Sequence, residues 1–280
     1  MRILLCLNRD FISNLALNQL WRALDNHAFD IVLSNGIGRK DAPKAVEIVE
    51  WGNLEKTLIE GGLFPLLDRR TPRTGQFQSF TQMALFSQSR IIREFASINQ
   101  DEGLAYVQEF QPDVIISIRF GQIFKAPAIG IPPLGIINLH SGILPDYQGI
   151  LATFWAMLDN RAAIGCTLHY ITDEKIDTGP IIGIHSLPVD KRRSLLWNVA
   201  SLYEGGTAMI ASALSKLADH RRIETTPQDS TKSHYFSYPE QQRLEEFLAA
   251  GGRLYTEEDY QELFSKYGVA NELKIPNLIR

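Results

Sequence analysis

The first 33 residues read strand, helix, strand, and that order constrains the chain more than any other feature. Residues 1–7 (MRILLCL) are a nearly continuous apolar run, the pattern of a strand buried on both faces of a parallel sheet. Residues 11–24 place Leu15, Leu20, Trp21 and Leu24 at helical spacing, and residues 29–33 (FDIVL) read as a second short strand. Parallel strands joined by a helix make a right-handed βαβ unit, so the expected class is α/β: a mostly parallel sheet with helices on both faces. The turn after the first strand is Asn8-Arg9-Asp10, without the G-x-G-x-x-G that a dinucleotide requires there.

Farther along, residues 42–67 contain helical stretches and FPLLDRRTPRTG reads as a loop. Residues 79–95 read as one helix, with Phe80, Met83, Phe86, Ile91 and Phe95 inward, and residues 103–110 as another. Strands are expected at 114–118, 135–139, 165–171 and 181–187. Residues 191–217 carry a helical pattern that Gly205-Gly206 is expected to weaken or kink. Residues 224–234 are polar and turn-rich, the best linker candidate, and residues 240–248 and 257–267 read as short surface helices. The expected division is a main domain at 1–222 and a small, mainly helical extension at 223–280.

Composition narrows the functional classes. The 280 residues are 45% hydrophobic, which supports a packed core and excludes a disordered chain. With 28 basic and 32 acidic residues the net charge is −4, which argues against nucleic-acid binding through a broad positive surface. The two cysteines, Cys6 and Cys166, sit in apolar runs and make neither a disulfide framework nor a zinc cluster, so no metal is expected. The opening residues lack the features of a signal peptide, and no apolar run approaches the ~18 residues of a membrane helix. A cytoplasmic protein without a membrane partner is the expectation.

The chemistry concentrates between INLHSGILPDYQG and CTLHYITDEKIDTGPII. Asn138 and His140 stand two apart at a predicted strand end, so both project to one face at the carboxyl edge of the sheet, where open α/β folds place ligands. Asp177 lies in a loop after a later strand. An amide donor, an imidazole and a carboxylate are the parts for acyl transfer: the amide stabilises an oxyanion and the other two move protons. His169 reads equally as a ligand or as a packed strand residue, while His27, His185, His220 and His234 have no motif around them.

The stretch N-x-H-x-G-x-L-P-x-Y-x-G followed by D-x-G-x-I-I resembles the formyltetrahydrofolate-dependent formyltransferases, which include glycinamide ribonucleotide, methionyl-tRNA and nucleotide-sugar N-formyltransferases. The resemblance is specific over residues 112–189 and implies a Rossmann-like sheet of that family's type. It implies Asn138, His140 and Asp177 as the catalytic group. It implies 10-formyltetrahydrofolate as formyl donor, held by Arg119, Phe120, Gly121, Ile123, Leu144, Asp173 and Ile176. Ser141, Gly142, Tyr147 and Gln148 are implied on the acceptor side, Gln148 standing where an arginine is common. Losing one oxyanion donor in such a site typically costs ~10²–10³ in rate.

For the acceptor, the acidic tail (Glu245, Glu246, Glu257, Glu258, Asp259) and the lack of a basic block disfavour tRNA, whose phosphates need Lys and Arg. A small amine, foremost on a nucleotide-linked amino sugar, is expected, with Tyr147, Phe154 and Trp155 as candidate stacking residues. Hydroxyornithine of siderophore assembly follows, then methionyl-tRNA, a deformylase using water, and a non-catalytic folate-fold binding protein. The resemblance also allows a homodimer.

Overall fold

The computed structural model describes residues 1–38, 42–86 and 92–275. In chain order the elements are β1 (Arg2–Asn8), α1 (Phe11–Leu20), β2 (Ala28–Ser34), α2 (Val46–Glu55), a π-helical stretch Lys56–Leu63, α3 (Phe64–Asp68), α4 (Phe80–Phe86) and β3 (Ile92–Glu94). There follow α5 (Asp101–Phe110), β4 (Val114–Ile118), α6 (Ala126–Ile129), β5 (Ile136–His140), β6 (Gln148–Gly149), α7 (Ala152–Leu158), β7 (Ala163–Ile171) and β8 (Ile181–Pro188). The chain then runs through α8 (Leu195–Ala218), β9 (Tyr235–Phe236), α9 (Gln241–Ala249) and α10 (Glu257–Ser265).

Seven strands form one sheet in the order β3-β2-β1-β4-β5-β7-β8. The pairs from β3 to β5 are parallel, and β7 and β8 add on antiparallel. In β1, Ile3, Leu5 and Leu7 enter the larger core while Leu4 and Cys6 enter the smaller one, so the continuous apolar run is buried on both faces. The larger core is shared with α1, α7 and α8, and the smaller with α5 and α6. β5 splits likewise: Ile137 and Leu139 face the larger core and Ile136 the smaller. By the period of two, Asn138 and His140 project on the smaller core's side.

Three expectations are corrected. Of the helix expected over 79–95, residues 80–86 are helical, and residues 92–94 instead pair with β2 as an edge strand. Ile91, and the side chain of Phe86, lie outside the described residues. The helix of residues 195–218 runs unbroken through Gly205-Gly206. A Cβ on Gly206 would lie 2.8 Å from a Leu139 methyl and 3.0 Å from Cys166 Sγ, so the glycine brings the helix close to the sheet rather than kinking it. The segment 224–234 is not a loose linker: Thr226 bridges to Ile181, and β9 then pairs with β6 beside the catalytic-type residues.

The last two helices pack on the same core. α10 is capped by Thr256 Oγ1, which accepts from Asp259 N–H, and three acidic residues occupy its first turn. Asp259 accepts from Arg193 Nε at 2.6 Å and from Ser194 N at 3.0 Å, and Phe264 packs edge-on to Phe11 with ring centroids 5.5 Å apart.

Candidate active site

The end of β5 delivers Asn138 and His140 to the carboxyl edge of the sheet, and the loop after β7 brings Asp177 over them. Asp177 Oδ2 lies 3.4 Å from His140 Nδ1, and its Oδ1 lies 3.4 Å from His169 Nε2. His169 sits directly opposite Asn138 in the β5–β7 register. His169 Nδ1 lies 2.9 Å from the Tyr170 carbonyl, and its Nε2 lies 3.1 Å from Asn138 Nδ2 on the side that also faces Asp177. His140 Nε2 donates to the Tyr147 carbonyl at 2.6 Å. The group is therefore four residues, Asn138, His140, His169 and Asp177, with His169 1% exposed and His140 8%.

The Asp177 carboxylate is held ionised. Burial alone would raise its pKa; the facing His140, the hydrogen bond and charge of His169, and the Gly149 N–H at 2.9 Å outweigh burial and bring it to about 2. Gly149 can donate there because its φ of +93° turns the amide inward, and a Cβ at that position would collide with the Phe236 carbonyl. The Asp177 main-chain carbonyl accepts from Gln228 Nε2 at 2.8 Å and from Gln148 Nε2 at 3.3 Å. Gln228 comes from the segment expected to be a linker, and its amide also donates to Gly179 O at 2.7 Å.

A cavity of about 640 Å³ opens around this group, and its lining divides into two sides, or lobes, by the core each backs onto. One lies on the smaller core's side, walled by Phe120, Ile123, Ile171 and Ile176, with Asn99, Lys125 and Asp173 as polar neighbours. Ile123 and Ile176 stay 52% and 37% exposed. The other reaches across the edge of the sheet to the larger core, walled by Leu139, Thr153, Phe154, Val199 and Arg119. Three non-glycine residues lining the cavity, Arg119, Leu151 and Asp177, have φ of 54–56°. Such backbone is tolerated only where the surrounding structure holds it, and it clusters at functional sites.

Of the residues singled out from the sequence, Asn138, His140, Asp177, Arg119, Phe120, Gly121, Ile123, Asp173, Ile176 and Ser141 line this cavity. Leu144, Gly142, Tyr147 and Gln148 do not. Leu144 is 2% exposed and its amide donates to Thr167 Oγ1 at 3.1 Å, while Thr167 Oγ1 donates to the Gly142 carbonyl at 2.7 Å, so this loop braces the site from behind. The Tyr147 ring is buried and turned outward, its hydroxyl donating to Asp159 at 2.8 Å. Of the three candidate stacking aromatics only Phe154 reaches the cavity wall; Trp155 packs on Phe236 and donates to Ser237 O at 3.1 Å. His169, Gln228 and Asp10 were not singled out as functional. The i+2 step from Thr167 to His169 on an alternating strand was the one available signal.

Among the described residues no cluster of His, Cys, Asp and Glu is placed to hold a metal, and no helix is long and apolar enough to cross a membrane.

Residues 73–211 match the family described as formyl transferase, about half of the chain, and the match contains all four residues of the central group. A methionyl-tRNA formyltransferase of Pelobacter propionicus is 30% identical over 129 residues, 46% of this chain and 40% of that protein, so the chain aligns with less than half the length of this relative. Among solved structures, the N-formyltransferase from Helicobacter canadensis, in complex with folinic acid and dTDP-3-aminofucose, superposes with a TM-score of 0.55 at 20% identity, over 85% of this chain and 71% of that one. A sugar 3N-formyl transferase crystallised with dTDP and 5-N-formyl-THF gives 0.53 at 20% identity, over 85% and 69%. At those identities the superpositions speak for the fold, and the family match speaks for the segment that carries the site. Residues 73–211, the segment that carries the site, belong to the formyl transferase family.

Proposed function

We propose that the protein transfers a formyl group from 10-formyltetrahydrofolate to the amine of a small acceptor. The observation that carries this reading is the contact of Asp177 with both His140 and His169, beside Asn138, at the junction of two lobes of one cavity. Two substrates need two compartments that meet at the reacting groups. The lobe of Phe120, Ile123 and Ile176 suits a flat, partly apolar pterin, with Asp173, Asn99 and main-chain groups for its polar edge.

The amine nitrogen forms a bond to the formyl carbon, and the formyl oxygen takes the electron pair. Asn138 Nδ2 is the donor for that oxyanion, exchanging His169 for it. His140, with Nε2 2.6 Å from Tyr147 O and Nδ1 3.4 Å from the Asp177 carboxylate, adds positive charge at the same point in its protonated form. As the oxyanion collapses, the bond from carbon to the folate nitrogen breaks. The proton lost by the amine ends on that nitrogen, relayed through His140 and Asp177.

For the acceptor, a nucleotide-linked amino sugar is the reading favoured by the fold neighbours crystallised with dTDP or a dTDP-linked amino sugar, and by the net charge of −4. The 30% identity to methionyl-tRNA formyltransferases supports the competing tRNA reading. The test offers 10-formyltetrahydrofolate with a panel of nucleotide amino sugars, hydroxyornithine and methionyl-tRNA, following tetrahydrofolate release and the formylated product. Turnover of an amino sugar is expected. Turnover of methionyl-tRNA alone would replace the acceptor, and no amine-dependent release with any of them would end the reading.

A further inference from the structure

The lobe on the larger core's side ends at a charged residue that nothing in the catalytic step uses. Arg119 follows β4, and its φ of 54° turns its side chain over the edge of the sheet. There Nε and Nη2 both lie 3.0 Å from Asp10 Oδ2. Asp10 is itself fixed by Asn8 Nδ2 at 2.8 Å and by the Ser13 amide at 2.7 Å, where it caps α1. One edge of the guanidinium is thus clamped by Asp10, with Glu55 and Tyr203 also in its field, while the side chain lines the cavity. Tyr203 is buried behind Arg119, and its hydroxyl faces the guanidinium and Asp10. Leu139, Phe154 and Val199 form the apolar wall of this lobe.

Resting on the formyl-transfer reading, we infer that Arg119 is the acceptor-anchoring residue: its guanidinium, held by Asp10 at the cavity wall, binds an oxygen of the acceptor, a ring hydroxyl or a carboxylate, and so aims the amine at Asn138 and His140. Asp10 is a positioning residue that holds Arg119 in place. This separates Arg119 from Phe120, Gly121 and Ile123, with which it shares a loop but not a lobe.

The test is equilibrium binding by calorimetry, with 5-formyltetrahydrofolate present, of dTDP-linked amino sugars, which offer hydroxyls, and of ornithine, which offers a carboxylate. Arg119→Met is expected to weaken the acceptor that binds by about 10- to 100-fold while folate affinity stays within about twofold. The double variant Asp10→Asn/Arg119→Met, which removes both members of the ion pair, shows the same loss and answers for any misfolding of the single one. An unchanged acceptor affinity, a loss confined to folate, or a wild-type protein that binds none of these amines overturns the anchor. Arg119-dependent binding without formyl transfer would overturn the proposed function and leave the anchor standing.

Discussion

The two lobes of the cavity meet at the same four residues and are built from opposite faces of one sheet. The lobe of Phe120, Ile123 and Ile176 stands on loops over the smaller core, and two of its apolar walls are partly open to water. The lobe of Arg119, Phe154 and Val199 is set into the larger core, against α7 and α8, with its charge clamped from behind. Loops over a small core can close on a flat donor and release it, whereas a subsite cut into a packed core discriminates by shape and by one buried polar contact. The difference assigns tolerance to one side of the reaction and selectivity to the other.

The largest effects should fall on neither lobe but on their junction. His140→Ala and Asp177→Asn are each expected to lower kcat by at least ~10³ while the variants still fold cooperatively and bind folate, as measured by steady-state kinetics, thermal melts and folate titration. A variant keeping near-full kcat would show that the junction does not do the chemistry. Next is Phe154→Ala. Phe154 has no solvent exposure, so removing it should cost about 3–5 kcal/mol of stability by denaturant unfolding. The equivalent truncation of half-exposed Ile123 should leave stability within about 1 kcal/mol and weaken 5-formyltetrahydrofolate binding several-fold. Equal stability losses at the two positions would erase the contrast between the lobes. Smaller still is Gln228→Ala, which loosens the Asp177 carbonyl without touching its carboxylate and should reduce kcat by about three- to tenfold with acceptor KM unchanged.

The pH dependence follows from the carboxylate. With a folded pKa of about 2 against an ordinary 3.8, Asp177 contributes stability that is fully present above pH 3.8 and fades as pH falls toward 2. Asp177 stays ionised throughout the neutral range, so an acidic limb in kcat near neutrality should persist in conservative changes around Asp177. A limb that shifts when Gly149→Ala removes the glycine geometry behind Asp177's amide donor would assign it to this carboxylate instead.

Much of this was legible in the sequence for reasons that are local. Asn138 and His140 share a face because a strand repeats every two residues, and the apolar run of β1 announced a sheet covered on both sides. What was hidden depends on distant packing. Arg119 reads as one more member of the loop that holds Phe120, and only its left-handed backbone sends it to the other lobe. Gly205-Gly206 carries a helix-breaking composition, yet the approach of α8 to Leu139 and Cys166 turns it into a close contact. Gln228 lies in a segment polar enough to read as linker, and its role appears only when β9 pairs with β6. Tyr147 looks like a site aromatic beside the motif, but it is the Tyr147 carbonyl, a group every residue has, that meets His140.

The most direct measurement is hydrogen exchange on the protein with 5-formyltetrahydrofolate alone and then with an amine acceptor added. The folate should protect the amides of residues 120–125 and 173–177 and leave those of 150–154 and 196–203 unchanged. The acceptor should then slow exchange around Arg119 and residues 150–154. Protection of 150–154 and 196–203 by the folate alone, with 120–125 and 173–177 unaffected, would contradict the division of the cavity into a donor lobe and an acceptor lobe.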